Sequence, residues 1–245
     1  MKVETASPAT CAIEASGLEK SFGEHRALAG VDLKLAGNEC LVIFGPNGAG
    51  KTTLLKVLST LIKPSAGTVW LDGIDTRAEP ARVRRRLSLV SHETFLYDNL
   101  SLYENLKFYG KMYDVANLEQ RIKEVTAWVQ LESRLNDRIG TLSRGLQQRA
   151  SFARAILHKP SILFLDEPDI GLDPRASTII DEVIGGAGPD RPTVVMTTHN
   201  LERGMELAGS IVILHRGKVV YQASGDELKQ ENIRRIYDRY TEKGR

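Results

Sequence analysis

The chain has 245 residues, enough for one large domain or for one domain with a subdomain. Hydrophobic residues make up 42% of it and charged residues 26%, with a formal net charge of +2. This net charge indicates neither a nucleic-acid-coating surface nor an acidic tail. Two cysteines are too few for a disulfide framework, and no apolar run approaches the ~18–20 residues of a membrane span. We expect no nucleic-acid partner, and expect another chain to cross any membrane.

The first predicted elements are strands. Ile13–Phe22 and Val31–Leu35 alternate apolar and polar residues, which predicts two half-exposed antiparallel strands. The apolar run 40–44 has the length of a buried strand. The segment 53–58 has apolar residues at helical spacing.

Between that strand and that helix lies a glycine-rich loop with GxxxxGK[ST] spacing. Its glycines let backbone N–H groups turn inward as an anion nest at the positive end of the next helix. We expect Lys51 to reach the β and γ phosphates of a nucleoside triphosphate and Thr52 to ligate Mg²⁺. The predicted nucleotide-binding residues are Gly45, Pro46, Asn47, Gly48, Ala49, Gly50, Lys51, Thr52 and Thr53.

The rest of the chain alternates strands and helices, which predicts an α/β fold with a mostly parallel core sheet. Thr94–Asp114 follows the strand 87–90, and a largely helical stretch is predicted from there to about Ile139. Asp226–Arg245 is predicted to be a charged, solvated helix. The further predicted strands are Thr68–Leu71, 87–90, Ile162–Leu165, Thr193–Thr198 and the hairpin Ile211–Leu214 with Lys218–Gln222.

Polar groups suited to phosphate chemistry lie at the ends of several predicted elements. Asp166 ends a buried strand and could hold Mg²⁺ beside the P-loop, while Glu167 could orient or deprotonate the attacking water. Ser143 and Gly145 begin a predicted helix and could form a second anion site. His199 could hydrogen-bond a γ-phosphate. Taken singly, each has a structural alternative as a helix cap, surface acid or loop residue.

Together these motifs resemble the ATP-binding cassette of ABC transporters, from about Ile13 to Gln222. The matching segments are the P-loop, Leu142-Ser143-Arg144-Gly145-Leu146 in place of the LSGGQ signature, the strand with Asp166-Glu167, Gly171-Leu172-Asp173 as the D-loop and His199 as the switch histidine. The resemblance implies one P-loop NTPase cassette over residues 1–245. It would have an antiparallel β subdomain, a helical subdomain at about 94–155 and a charged C-terminal helix at about 226–245.

The resemblance also implies an ATP-hydrolysing subunit of a membrane exporter, bound peripherally at the cytoplasmic face of the cell membrane. Its partner would be a permease on a separate chain. Two copies would close head to tail, with ATP and Mg²⁺ held by one copy and capped by Ser143, Arg144 and Gly145 of the other. Glu167 would be the catalytic base and His199 the γ-phosphate sensor, and Phe22 matches the aromatic that stacks on adenine.

Three positions depart from the family pattern. Arg144 and Leu146 replace a glycine and a glutamine of the signature, but the Gly145 amide remains, so we still expect ATP binding. The third is the magnesium-contacting glutamine, where gapless alignment places His92; a one-residue shift would place Glu93 there.

The signature followed by Gln-Gln-Arg, with the segment 90–97, looks like the heme-exporter ATPases of cytochrome c maturation. Multidrug or lipid exporters are close alternatives. A soluble cassette that serves as an assembly scaffold, as in iron–sulfur cluster assembly, is an alternative of another class.

Six of the fifteen aromatic residues fall between His92 and Tyr113. They could fill a helical core, or some could face outward as a groove for a permease helix, because aromatic residues are favoured at interface centres. These residues are Phe95, Tyr97, Tyr103, Phe108, Tyr109 and Tyr113.

Overall fold

A computed structural model describes residues 11–168, 178, 181–182, 184–186, 191–230 and 232–241. The predicted D-loop, Gly171-Leu172-Asp173, lies outside these residues. In chain order the described elements are β1 (Cys11–Phe22), β2 (His25–Ala36), β3 (Cys40–Phe44), α1 (Lys51–Leu58), β4 (Ala66–Leu71), β5 (Ile74–Asp75), α2 (Pro80–Arg84), β6 (Leu87–Val90), α3 (Leu102–Met112), α4 (Leu118–Trp128), α5 (Arg144–Ile156), β7 (Ile162–Asp166), β8 (Thr193–Thr197), α6 (Leu201–Leu207), β9 (Ser210–His215), β10 (Lys218–Ser224), α7 (Gly225–Gln230) and α8 (Ile233–Thr241). Two short 3₁₀ helices, Glu132–Arg134 and Ile139–Thr141, lie between α4 and α5.

The amino-terminal strands form an antiparallel sheet in the order β2-β1-β4-β5. The alternation that predicted β1 and β2 as half-exposed partners is confirmed, because Ile13 pairs with Leu35 and both are buried. β4 lies on the other side of β1, where Ile13 faces Leu71. Asp72 and Gly73 make the tight turn that follows, both with positive φ.

A second sheet has the order β10-β9-β3-β8-β7-β6. β9, β3, β8, β7 and β6 run parallel, and only β10 is antiparallel, joined to β9 by the predicted hairpin. Every residue of β3, β7 and β8 is buried, as expected for parallel strands covered on both faces. The predicted α/β architecture is confirmed.

Each face of the parallel sheet has its own hydrophobic core, and β3 contributes to both by alternation. Leu41 and Ile43 pack with α1 and the antiparallel sheet. Cys40, Val42 and Phe44 pack on the opposite face with α3, α4 and α5. The helix α3 begins at a capping box in which Ser101 and Glu104 bond each other's backbone.

The carboxy-terminal tail differs from its prediction as a solvated helix. Two helices, α7 and α8, are described there. Ile236 is buried, and Ile233, Tyr237 and Tyr240 pack against the same core as α3 to α5. The prediction missed this apolar face because charged residues dominate the segment. Over the described ranges, no helix combines the length and apolar character needed to span a bilayer.

Candidate active site

The predicted site lies at one edge of the parallel sheet, where β3, β8 and β7 are neighbours. The carboxyl ends of these strands, at Phe44, Thr197 and Asp166, meet at that edge. Loops that follow parallel strands converge there, which is where ligands bind in open α/β sheets.

The loop between β3 and α1 has close backbone neighbours that only glycine can accommodate. Gly45 has φ +154° and Gly50 has φ +104°. A Cβ atom on Gly45 would lie 2.2 Å from the Leu214 carbonyl oxygen, and one on Gly50 would lie 2.5 Å from the Ala27 carbonyl oxygen. The loop is therefore held closely between β2 and β9, and α1 begins directly after it.

Lys51 is buried within this loop and only 6% exposed. Its Nζ donates to the carbonyl oxygens of Gly45 at 2.7 Å and Pro46 at 3.3 Å, and lies 4.0 Å from Oε1 of Glu167. Burial lowers the pKa of Lys51, and the negative charges of Glu167 and Asp166 oppose that change. The loop thus holds a buried ammonium group beside the carboxylates at the strand ends.

Two hydroxyl groups and one carboxylate form the candidate magnesium site. Oδ1 of buried Asp166 accepts hydrogen bonds from Thr52 Oγ1 at 3.2 Å and from Thr197 Oγ1 at 2.8 Å. These hard oxygen atoms fit Mg²⁺, which commonly binds one or two carboxylates together with water and substrate phosphates. Among the described residues no group of three or more His, Cys, Asp or Glu side chains could hold a metal by itself.

Glu167 occupies a constrained position beside this carboxylate. It has φ +50°, and its N–H donates to the carbonyl oxygen of Thr197 at 3.2 Å and to its Oγ1 at 2.9 Å. Oε1 lies 2.5 Å from His199 Nε2, and Oε2 lies 3.7 Å from His92 Nε2. Backbone strain of this kind in a non-glycine residue often marks a functional site.

The two candidates for the glutamine position, His92 and Glu93, have different surroundings. His92 reaches Glu167, while neighbouring Glu93 is exposed and makes a local turn with Ser91. Of these two side chains, His92 is the one that lies beside Glu167.

Thr197 is a site residue that the sequence analysis missed. It bridges Asp166 and the backbone of Glu167, thereby fixing both acids. Its signal in the sequence was a hydroxyl residue that directly follows the apolar run of this strand, two positions before His199.

The signature segment forms the amino end of α5. Ser143 is the N-cap residue, and its side chain makes no capping hydrogen bond. Ser143 and Arg144 are exposed, and Gly145 is partly buried. Within the described part of this single chain, no hydrogen bond or ion pair joins them to the P-loop.

Phe22 ends β1 beside the turn to β2 and is 52% exposed. Lys20 Nζ lies 5.0 Å from the centre of its ring. The partner strand carries Ala27, whose carbonyl oxygen approaches Gly50, so this hairpin end lies next to the P-loop.

The sequence profile of the family described as "ABC transporter" matches residues 28–169, more than half of the chain. The chain belongs to the ABC transporter family. As an ATP-binding subunit of that family, it is an ATPase.

Similar curated proteins share most of their length with this ABC subunit. It is 34% identical to the ABC transporter ATP-binding protein NatA of Bacillus subtilis over 83% of this chain and 84% of NatA. It is 35% identical to the daunorubicin resistance ATP-binding protein DrrA3 of Streptomyces coeruleorubidus over 91% of this chain and 71% of DrrA3. It is 30% identical to the Nod factor export ATP-binding protein I of Cupriavidus metallidurans over 91% of this chain and 75% of that protein.

Two solved structures have the same fold. An ATP-binding subunit of an ABC transporter superposes with a TM-score of 0.84 at 25% identity, covering 93% of this chain and 98% of that one. The dimeric post-hydrolysis state of the ATP-binding cassette MJ0796, bound to ADP and Pi, gives a TM-score of 0.79 at 28% identity, with 86% and 98% covered.

Proposed function

We propose that this ABC subunit drives an exporter by closing, as a pair of identical chains, around ATP. The observation that carries the proposal is the convergence of Lys51, Thr52, Asp166, Glu167 and His199 at one sheet edge. In this proposal residues 1–245 act as one ATP-binding domain, with α3, α4 and α5 within its helical subdomain.

The chain's own groups have separate tasks in hydrolysis. The amides of the glycine-rich loop and the Lys51 ammonium bind the phosphates, while Thr52 and Asp166 would hold Mg²⁺. Bound Mg²⁺ would neutralise negative charge on the phosphates. Glu167 takes the proton of the attacking water, and His199, 2.5 Å from Oε1, keeps that carboxylate oriented and contacts the γ-phosphate.

The exposed amino end of α5 supports the second half of the proposal, the pairing of two chains. The N–H groups at the start of a helix attract anions. The Ser143 hydroxyl, which makes no capping hydrogen bond, and the positively charged Arg144 add to that attraction. A second copy would place these groups over the nucleotide of the first. The similar MJ0796 cassette is dimeric in its complex with ADP and Pi.

An exposed apolar patch supports a separate membrane partner at the cytoplasmic face of the cell membrane. Tyr97, Phe108 and Met112 are each more than two-fifths exposed, and the rings of Tyr97 and Phe108 meet edge to face at 5.4 Å. The other predicted aromatics, Phe95, Tyr103, Tyr109 and Tyr113, are partly buried. A permease helix would cover the patch.

We propose an organic molecule as cargo, because similar proteins are named for daunorubicin resistance and Nod factor export. Heme is the second candidate. It is supported by the Ser143-Arg144-Gly145 signature followed by Gln-Gln-Arg, and none of the relatives described above is named for heme. A strain without this chain distinguishes the two: loss of covalently bound heme from its c-type cytochromes supports heme, and daunorubicin sensitivity with normal cytochromes supports a drug-like cargo.

The nucleotide site is tested with the variant Lys51→Ala and a matched control, Lys56→Ala. Lys56 lies on the same helix but outside the loop. A fluorescent ATP analogue should bind to the unmodified chain and the control alike, and at least about tenfold more weakly to Lys51→Ala. Equal affinity of both variants would refute the site.

A further inference from the structure

Arg154, near the carboxyl end of α5, is an unusual buried cation. It is 6% exposed, and within the described ranges no carboxylate forms an ion pair with it. Its Nη2 donates to the carbonyl oxygen of Leu89 at 2.6 Å. The guanidinium carbon lies 5.5 Å from the ring centres of Phe95 and Tyr109, and Nε has no hydrogen-bond partner among the described groups.

Burial lowers the pKa of the Arg154 guanidinium, because desolvation disfavours its charged form. A buried charge without an opposite charge costs stability, and an apolar side chain of similar length would fill the same space at lower cost. Stability therefore does not explain the guanidinium at this position, and its role is sought in the groups that it contacts.

Those groups lie on both sides of one short loop, residues 91–95, which we call the His92 loop. Leu89 precedes the loop as part of β6, and Phe95 ends it with φ +55°, a strained value for a bulky residue. Arg154 contacts both. The guanidinium thus contacts the chain at both ends of the loop.

Two further hydrogen bonds hold the end of the His92 loop. Ser151, one turn earlier on α5, donates to the carbonyl oxygen of Thr94 at 3.1 Å. The Tyr109 hydroxyl of α3 donates to the carbonyl oxygen of Phe95. The centre of the loop remains free to face the site, where the 57% exposed side chain of His92 lies 3.7 Å from Glu167.

We propose that Arg154 is a positioning residue that couples the placement of α5 to the His92 loop and, through His92, to Glu167. The other end of α5, about three helical turns away, carries the signature segment. When that end engages the nucleotide of the second copy, a shift of α5 moves the His92 loop with it. The inference rests on the proposed function, which assigns the amino end of α5 to that nucleotide.

The test compares two buried arginines of one helix, each replaced by the unbranched apolar residue methionine. Arg149 is 7% exposed and donates to the carbonyl oxygen of Val129 at 3.2 Å, at the end of α4 rather than at the His92 loop. Arg154→Met should lower kcat by about ten- to a hundredfold with ATP affinity changed less than about threefold. Arg149→Met should leave kcat within about twofold of the unmodified chain.

A double-mutant cycle tests the route through His92. In the background of His92→Ala, adding Arg154→Met should lower kcat by less than about twofold, because the positioned group is already gone. Ser151→Ala provides a milder perturbation of the same loop that keeps the buried arginine. It should lower kcat in the presence of His92 and not in its absence.

Equal losses of kcat in the two arginine variants would overturn the proposal. So would an unchanged effect of Arg154→Met in the His92→Ala background, or normal kcat in His92→Ala itself. If Arg154→Met does not fold, Ser151→Ala decides instead: an equal effect of Ser151→Ala on kcat with and without His92 would overturn the proposal. Failure of the unmodified chain to bind ATP would instead refute the proposed function, and this inference with it.

Discussion

Gly50→Ala tests how the P-loop is held, because the structure allows its cost to be worked out. Gly50 has φ +104°, and a Cβ atom would lie 2.5 Å from the carbonyl oxygen of Ala27, a backbone atom of β2 that cannot turn away. The unfavourable φ costs about 1–2 kcal/mol and overpacking about 1–3 kcal/mol. We expect Gly50→Ala to lower the free energy of unfolding by about 2–5 kcal/mol.

Gly48→Ala is the matched control for this prediction. Gly48 lies in the same loop with φ +77°, and a Cβ atom there would meet nothing within 4 Å. Gly48→Ala should lower the free energy of unfolding by only the cost of the unfavourable φ, about 1–2 kcal/mol. Urea unfolding of both variants without nucleotide measures the difference directly. Equal losses would refute the claim that contact with β2 shapes the loop.

Three further predictions address the base, a buried histidine and the apolar patch. Glu167→Gln should retain ATP affinity and lose about 10²–10⁴-fold in steady-state turnover, and near-normal turnover would show that the base lies elsewhere. Burial lowers the pKa of His158, stacked on Tyr113 at 3.9 Å, to about 4. Because the unfolded chain then binds more protons, stability should fall by up to about 3 kcal/mol as the pH drops from about 6.5 to 4, and urea unfolding of His158→Phe should show a smaller loss. Phe108→Ala should weaken sedimentation with permease-containing membranes, while Leu61→Ala, a comparably exposed apolar residue after α1, should not; equal effects would contradict docking at the patch.

The sequence predicted the elements whose signal is local. The spacing of Gly45, Gly50 and Lys51 is a property of one loop, and the apolar runs of β3 and β7 follow from burial on both faces. Asp166 and Glu167 could be placed because they follow such a run directly.

Residues whose role depends on distant partners could not be predicted in this way. Thr197 matters because β8 lies between β3 and β7, which places its hydroxyl 2.8 Å from Asp166. Arg154 has no local signal, because its contacts with Leu89 and Phe95 join parts of the chain that are far apart in sequence. The apolar face of α8 was likewise hidden among charged neighbours, since only packing against the core distinguishes Ile236.

The mass of the Glu167→Gln variant in solution tests the central claim most directly. Light scattering should give the mass of one 27.1 kDa chain without nucleotide and twice that mass with Mg²⁺ and ATP, since slow turnover preserves the closed pair. Adding Gly145→Glu to this variant, which places a carboxylate against the nucleotide of the other copy, should keep it at the mass of one chain while ATP still binds. Pairing that persists in the double variant, or single chains of Glu167→Gln at saturating ATP, would contradict the account.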